Sequence, residues 1–413
     1  MSPNAPPRFL CGIDWSETLN DVAVIDRSGT VLARARLPTT PEGVRDLLAL
    51  LAGLRSSHTH SRRHVPVAIE ATRGLLIDAL RAKGQPVYPV PPTIVAGFRR
   101  RTSRTRKKSD RTDAQLLATI LRDQWGQLRP LPSNSPLADS VTVLAHAQRR
   151  AHATRQRLQS RLRALLQHAH PSAVTAWAGL DGGLTRPQAR AVLAAGPTAT
   201  TARRLTPYRL TKILTAAGRT RLVDAEAYRL HALFATPTLQ PSPPVEEALA
   251  IEVQSILSMF DHACGTDDDL TTQLTDTFSG HRAADIYLSF PGCGALTGAR
   301  LLAEIGDDPH RFDTARGLSA YAGLRPLTWA SGASHQVSHR RICNRRLKIT
   351  CHQWAFASLT RSPGCRALYD RRRAAGDTHA AALRRVAIRL LNGLHHGLKT
   401  ANTYQEDTAF PTT

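Results

Sequence analysis

The chain has 413 residues, enough for two or three domains with sizeable cores, and it carries a formal net charge of +23 at a pI near 11.0. Neither a lipidation signal, nor a long amphipathic anchor, nor an apolar run of about 18 residues accompanies that charge, so the expected partner is a nucleic acid and not a membrane. The cysteines, at 11, 264, 293, 343, 351 and 365, form no C-x-x-C pair, which sets aside a zinc ribbon; MSPNAPPR has no apolar signal core, and a cytoplasmic protein with reduced thiols is expected.

In chain order, Phe9-Leu10-Cys11-Gly12-Ile13 is an apolar strand ending at Asp14, followed by the alternating segments DVAVID and TVLARARL. Breaks near Asn20 and at Ser28-Gly29 make the three an antiparallel meander. VPVAIEAT is a further strand with Glu70 near its end, followed by a helix near 74–84 and the short strand QPVYPV. Arg99, Arg100, Arg101, Arg104, Arg106, Lys107, Lys108 and Arg111 then crowd a basic loop that leads to Asp110. Asp110 and Asp113 open the helix SDRTDAQLLATILRD, where i, i+3 spacing sets both carboxylates on one face.

Taken singly, each of Asp14, Glu70, Asp110 and Asp113 reads as an ordinary surface acid. Together, from two strand ends and a helix, they suit a pair of magnesium or manganese ions clamping the attacking and leaving oxygens of a phosphodiester. That is the setting of an RNase H-like nuclease, because unpaired carboxylates are costly at buried strand ends. A sugar-kinase or actin-like ATPase also opens with a strand, Gly-Ile-Asp and a hairpin. WSETLND after Asp14, however, lacks the glycines of a phosphate loop.

PLPSNSP, 130–136, reads as a linker, and Leu137 to about His168 as a long basic helix with Val143, Leu144, Ala147, Ala151, Leu158, Leu162 and Leu165 on its apolar stripe. It is expected to be a structural arm or coiled-coil partner, with nucleic-acid contact by its arginines as the other use. Residues 171–243, rich in Gly, Pro, Thr and Arg, read as short helices and loops with no assigned chemistry. A second long helix begins after PSPP and keeps Leu270, Leu274 and Phe278 in register. FPGCGALTGARLLAEIGD, 290–307, resembles a helix-hairpin-helix in which Gly292 and Gly294 expose backbone N–H groups to a phosphate; a plain packing element is the bland reading. In AYAGLRPLTWASGASHQVSHRRICNRRLK, 320–348, Ser331 precedes Gly332 in a turn and is followed by Arg340, Arg341, Arg345, Arg346 and Lys348. A serine attacks phosphorus only when a base or metal activates it and cations stabilise the transition state. A Ser-Gly turn alone is structural.

The order of Asp, Glu and Asp-x-x-Asp, a helical spacer, PGxGxxT, YAGLxP and then SG before an Arg-rich helix resembles the DEDD-type transposases of bacterial insertion sequences, the bridge-RNA-guided serine recombinases. SDRTDA and PGCGALTGARLLAEIGD are its most specific parts, and 171–243 the least. The resemblance implies a fold of α/β plus α: a RuvC-like domain over 1–129 with metal at the four acids, a helical spacer or coiled-coil region over 130–280, and a helical C-terminal domain over 281–413. In that last domain Ser331 would form a phosphoserine link to DNA. It also implies donor and target DNA, a structured guide RNA and a homo-oligomer. Glu17 departs from the family's usual basic residue, and Cys343 from the glycine before Asn344; Ser334 and Ser338 are the alternative nucleophiles. The competing activities are a metal-dependent, structure-selective RNase H-like nuclease that does not use Ser331, and a non-catalytic nucleic-acid-binding protein.

Overall fold

Alternating polarity near the start of the chain does what it dictates and forms a sheet. The computed structural model describes residues 6–56, 65–102, 110–331, 334–338, 340 and 342–410, in two units, Met1–Ser133 and Asn134–Thr413. In the first, β1 (Phe9–Asp14), β2 (Leu19–Asp26) and β3 (Val31–Pro38) make the antiparallel meander, with Asp14 opposite Asp21 at one end. After α1 (Pro41–Ser56), β4 (Val67–Ile69) joins parallel to β1; α2 (Leu75–Ala82) then leads to β5 (Val87–Pro89), parallel to β4. The strand order is β3-β2-β1-β4-β5. Helix α1 has no counterpart among the expected elements.

The strand period of two sends β1 side chains to opposite faces. Cys11 and Ile13 join Leu47, Leu51, Ile77 and Leu80 under α1 and α2. Leu10 packs on the other face with Val95, Phe98, Leu117 and Leu121, from α3 (Pro92–Thr102) and α4 (Asp110–Asp123). Arg99, Arg100 and Arg101, expected on a loop, form the last turn of α3, where the helix dipole favours cations.

In the second unit α5 (Pro136–Ala169) runs antiparallel to α11 (Pro243–Ser279): Gln148 meets Asp267 near one end, Arg161 meets Glu252 towards the other. Between them in sequence lie α6 (Pro171–Ala176), a single 3-10 turn, α7 (Pro187–Ala195), α8 (Ala199–Arg203), α9 (Pro207–Ala216) and α10 (Val223–Ala235). They bury Trp177, Leu193, Leu210 and Phe234 against Leu162, Leu166, Val253 and Phe260. Of the expected stripe on α5, Leu162 is buried and Leu144, Leu158 and Leu165 pack against the cores; the departure is in the first half of the helix. Ala138, Val141, Ala145 and Gln148 are buried while Val143 is 67% exposed, because the inward edge of α5 is set by small residues and by Gln148 bonding Asp267. Leu274 and Phe278 are buried as expected.

A second core joins those ends of α5 and α11 to α12 (Ala284–Ser289), α13 (Ala295–Ile305), α14 (Ala315–Tyr321), α15 (Arg345–Ser358), α16 (Pro363–Ala374), α17 (His379–Thr400) and α18 (Glu406–Ala409). The C-terminal part is not wholly helical. An antiparallel hairpin, β6 (Leu327–Ser331) and β7 (Ser334–Ser338), stands between α14 and α15. Five cysteines are buried and Cys343 is half-buried. Among the described residues no helix is long and apolar enough to cross a membrane.

Candidate active site

Ile13 opposite Ile69 is the last pair of β1 with β4, so Asp14 and Glu70 leave the sheet side by side at the ends of parallel strands, which lie about 4.8 Å apart. Glu70 falls just beyond its strand. Helix α4 lies against β1 with no side chain between: a Cβ on Gly12 would stand 2.0 Å from Ala114 O and 2.6 Å from Ala118 N. At the other end of α4 Arg122 reaches Gly29 in the β2–β3 turn, so α4 runs opposite to β1. Its first turn therefore sits at the sheet edge that Asp14 and Glu70 occupy. Asp113 immediately precedes Ala114, and Asp110 begins the same turn; of Asp110 only the backbone is described.

Asp14 is half-buried, Glu70 exposed and Asp113 buried at 7% exposure. Arg99 Nη2 lies 2.8 Å from Asp113 Oδ1, while Arg99 Nε has no hydrogen-bond partner among the described residues. Among the described residues no three His, Cys, Asp or Glu side chains are grouped to hold a metal ion. The donor set still fits magnesium or manganese: it is all carboxylate oxygen, and buried Asp113 already requires a cation beside it. Beside it Arg101 stacks its guanidinium over Phe98 at 4.1 Å, and Arg100 is exposed. Arg104, Arg106, Lys107 and Lys108 lie outside the described residues, as does the side chain of Arg111.

In the second unit Ser331 pairs with Ser334 at the tip of the hairpin, and Leu327 with Ser338 at its base; for all of these only the backbone is described. Gly332 and Arg341 lie outside the described residues. Asn344 ties the start of α15 to α13 and α14. Its N–H donates to Tyr321 O at 2.9 Å, Nδ2 donates to Tyr321 Oη at 3.0 Å and to Glu304 Oε2 at 2.7 Å, and Oδ1 caps α15 by accepting from Leu347 N at 3.0 Å. Cys343 fits because Gly323, at φ +68°, has no Cβ to meet its sulfur.

Sequence reasoning missed Glu304, a single acid in the apolar run LLAEIG, where an acid on the buried face is the available signal. It is 4% exposed and also accepts from Arg346 Nε at 2.5 Å and contacts His146 Nε2 at 3.0 Å. Burial would raise its pKa, but the hydrogen bonds from His146, Arg346 and Asn344 prevail and hold it at about 2. Arg346 is thus engaged, Arg345 is exposed, and Arg340 Nε is buried without a partner among the described residues.

The two glycines of the 290–307 segment part company. Gly292, at φ +71°, would put a Cβ 2.7 Å from Ala357 C and Ser358 N, so it serves close packing on α15. Gly294 is exposed at the N-cap of α13, with open space where a Cβ would stand.

Residues 11–171 match the DEDD Tnp IS110 transposase family, and residues 284–370 the family described as Transposase IS116/IS110/IS902. The chain is 45% identical over 401 residues to the mini-circle putative transposase for IS117 of Streptomyces coelicolor, covering 97% of this chain and 96% of that protein. It is 31% identical to the IS110 uncharacterized 43.6 kDa protein of the same organism, over 72% of each chain. Identity to the IS900 uncharacterized 42 kDa protein of Mycobacterium paratuberculosis is 27%, over 96% of this chain and 97% of that one. Matches at both ends of the sequence and a full-length relative at 45% identity make this chain a member of the IS116/IS110/IS902 family of insertion-sequence transposases.

Proposed function

We propose that this transposase cuts and rejoins donor and target DNA through a serine–DNA intermediate, guided by a structured RNA and acting as a homo-oligomer in the cytoplasm. The observation that carries the reading is the sheet edge where Asp14 and Glu70 emerge together beneath the first turn of α4. In this reading residues 1–129 are an RNase H/RuvC-like domain, 130–280 a helical spacer and 281–413 the domain of the serine.

Asp14, Glu70, Asp110 and Asp113 would hold Mg2+ or Mn2+, which when bound supplies Lewis-acid stabilisation of the charged phosphoryl oxygens. Arg99 holds the Asp113 carboxylate in place through its 2.8 Å contact. Arg100, Arg101, Lys107 and Lys108 draw the phosphate backbone towards that edge. Ser331 Oγ attacks phosphorus: a P–O bond to serine forms, the bond to one bridging nucleotide oxygen breaks, the serine proton passes to a base, and the departing oxygen takes up a proton. A nucleotide hydroxyl attacking the phosphoserine reverses these steps and rejoins the strand. Gly294, at an exposed helix N-terminus, and Arg340, Arg341, Arg345 and Arg346 contact phosphates, Arg346 being oriented by Glu304, while Gly292 acts through its packing on α15. Ser334 is the first alternative nucleophile because it is the register partner of Ser331, ahead of Ser338 at the hairpin base.

Labelled donor DNA cleaved in the presence of guide RNA and magnesium is expected to give a protein–DNA adduct on a denaturing gel. Ser331→Ala abolishes the adduct and retains binding; an adduct that persists transfers the role to Ser334. Cleavage without any adduct in the unaltered protein would establish the metal-dependent nuclease instead. Changing any one of Asp14, Glu70, Asp110 or Asp113 to Ala abolishes recombination with the fold intact by circular dichroism. Near-normal recombination in two of these variants overturns the acid site.

A further inference from the structure

Where α5, α13 and α15 meet in the second unit, Arg346 is joined by two cations, Arg149 and Arg300, that neither the acids nor the serine uses. Arg149 Nη2 donates to Arg346 O at 3.3 Å and to Thr350 Oγ1. Arg300 Nη2 donates to Gln148 Oε1 at 2.7 Å, and Arg346 Nε to Glu304 Oε1 at 2.5 Å. Among the described residues Glu304 is the one carboxylate in ion-pair range of any of these three arginines. The next acid, Asp267, is already taken by Arg155 at 3.1 Å and His152 at 3.0 Å, and Gln148 stands between it and Arg300. The Nε atoms of Arg149 and Arg300 are buried with no hydrogen-bond partner among the described residues. Burial and the neighbouring Arg300 lower the Arg149 pKa to about 10.

Arg300 and exposed Arg346 both repel the half-buried Arg149, and the Nε donors of Arg149 and Arg300 stay unmatched, a cost that an added anion offsets. The guanidinium fork fits phosphate oxygens in pairs, and exposed Arg150 and Arg345 carry the positive surface out to solvent. We propose that Arg149, Arg300 and Arg346 form a binding site for a nucleic-acid phosphodiester, with Glu304 orienting Arg346. The proposal rests on the reading of the chain as a nucleic-acid-processing enzyme and gives one backbone phosphate its seat.

Anisotropy of a labelled DNA duplex and of a structured RNA, titrated with full-length protein between about 50 and 200 mM salt, tests it. Arg149→Met should weaken binding at least tenfold and lower the log–log salt slope on duplex DNA by about 1, whereas Arg149→Lys keeps the slope. The melting temperature of free Arg149→Met should not fall, because a repelled cation has been removed. Loss on DNA alone names DNA as the source of the phosphate, loss on RNA alone names RNA, and loss on both leaves the site common to them. Unchanged affinity and slope in a folded Arg149→Met overturns the site but leaves the functional reading intact. A lower melting temperature with an unchanged slope reduces Arg149 to a packing residue and also overturns it. Should Arg149→Met fail to fold, Arg300→Met decides by the same slope. Absence of salt-dependent binding in the unaltered protein removes the functional reading and the site together.

Discussion

Gly12 carries no side chain, yet it sets how near the acids stand. With Ala114 O and Ala118 N at 2.0 and 2.6 Å from the site of a Cβ, Gly12→Ala must push α4 off β1. The expected cost is about 2–3 kcal/mol in urea unfolding, and the displacement of Asp113 from Asp14 should lower cleavage further than the stability loss explains. Glu304 offers a pH test. Its folded pKa of about 2 lies below its ordinary 4.5, so its contribution is present above the ordinary value and is lost as pH falls from about 4.5 towards 2. That contribution is on the order of 3 kcal/mol, and Glu304→Gln should flatten the acid limb of stability against pH. The strand end at Asp14 and the helix start that carries Asp110 and Asp113 were legible because strand periodicity and i, i+3 spacing mark such positions along the backbone. Glu304 was not, because its partners His146, Asn344 and Arg346 are distant in sequence and only packing unites them.

The elements that sequence revealed best are those with a regular period: the meander, α4, α5 and α11. The signal for α1 is also there, as Val44, Leu47, Leu48 and Leu51 at helical spacing after Pro41. The β6–β7 hairpin is harder to read, since LTWAS and SHQVS carry little apolar alternation and are set in a run of arginines. Placing Arg99, Arg100 and Arg101 on a helix instead of a loop separates their roles, because only Arg99 turns towards Asp113. Arg99→Gln strands a buried carboxylate and should destabilise the first unit by on the order of 3 kcal/mol. Arg100→Gln with Arg101→Gln should leave stability nearly unchanged while reducing the salt slope of DNA binding by up to about 2, as anisotropy would measure.

For the molecule as a whole, a net charge of +23 predicts a salt slope of about −5 or steeper on duplex DNA, and a slope near zero would mean that the charge serves solubility alone. Length and composition foretold several cores and a polyanionic partner, but not that α5 and α11 would each run from one core of the second unit to another, a pairing fixed by contacts such as Gln148 with Asp267. The cysteines described above make these cores a set of clocks. Burial pushes the Cys11 and Cys293 thiols up to about 12 and raises that of Cys351, and alkylating reagents attack only the thiolate. Each buried sulfur therefore reacts only when its own surroundings open. Brief iodoacetamide pulses read by peptide mass spectrometry should mark half-buried Cys343 first. The later labelling of Cys11 in the sheet, Cys264 in α11 and Cys293 behind α12 would then time the opening of three separate interiors without a single added probe.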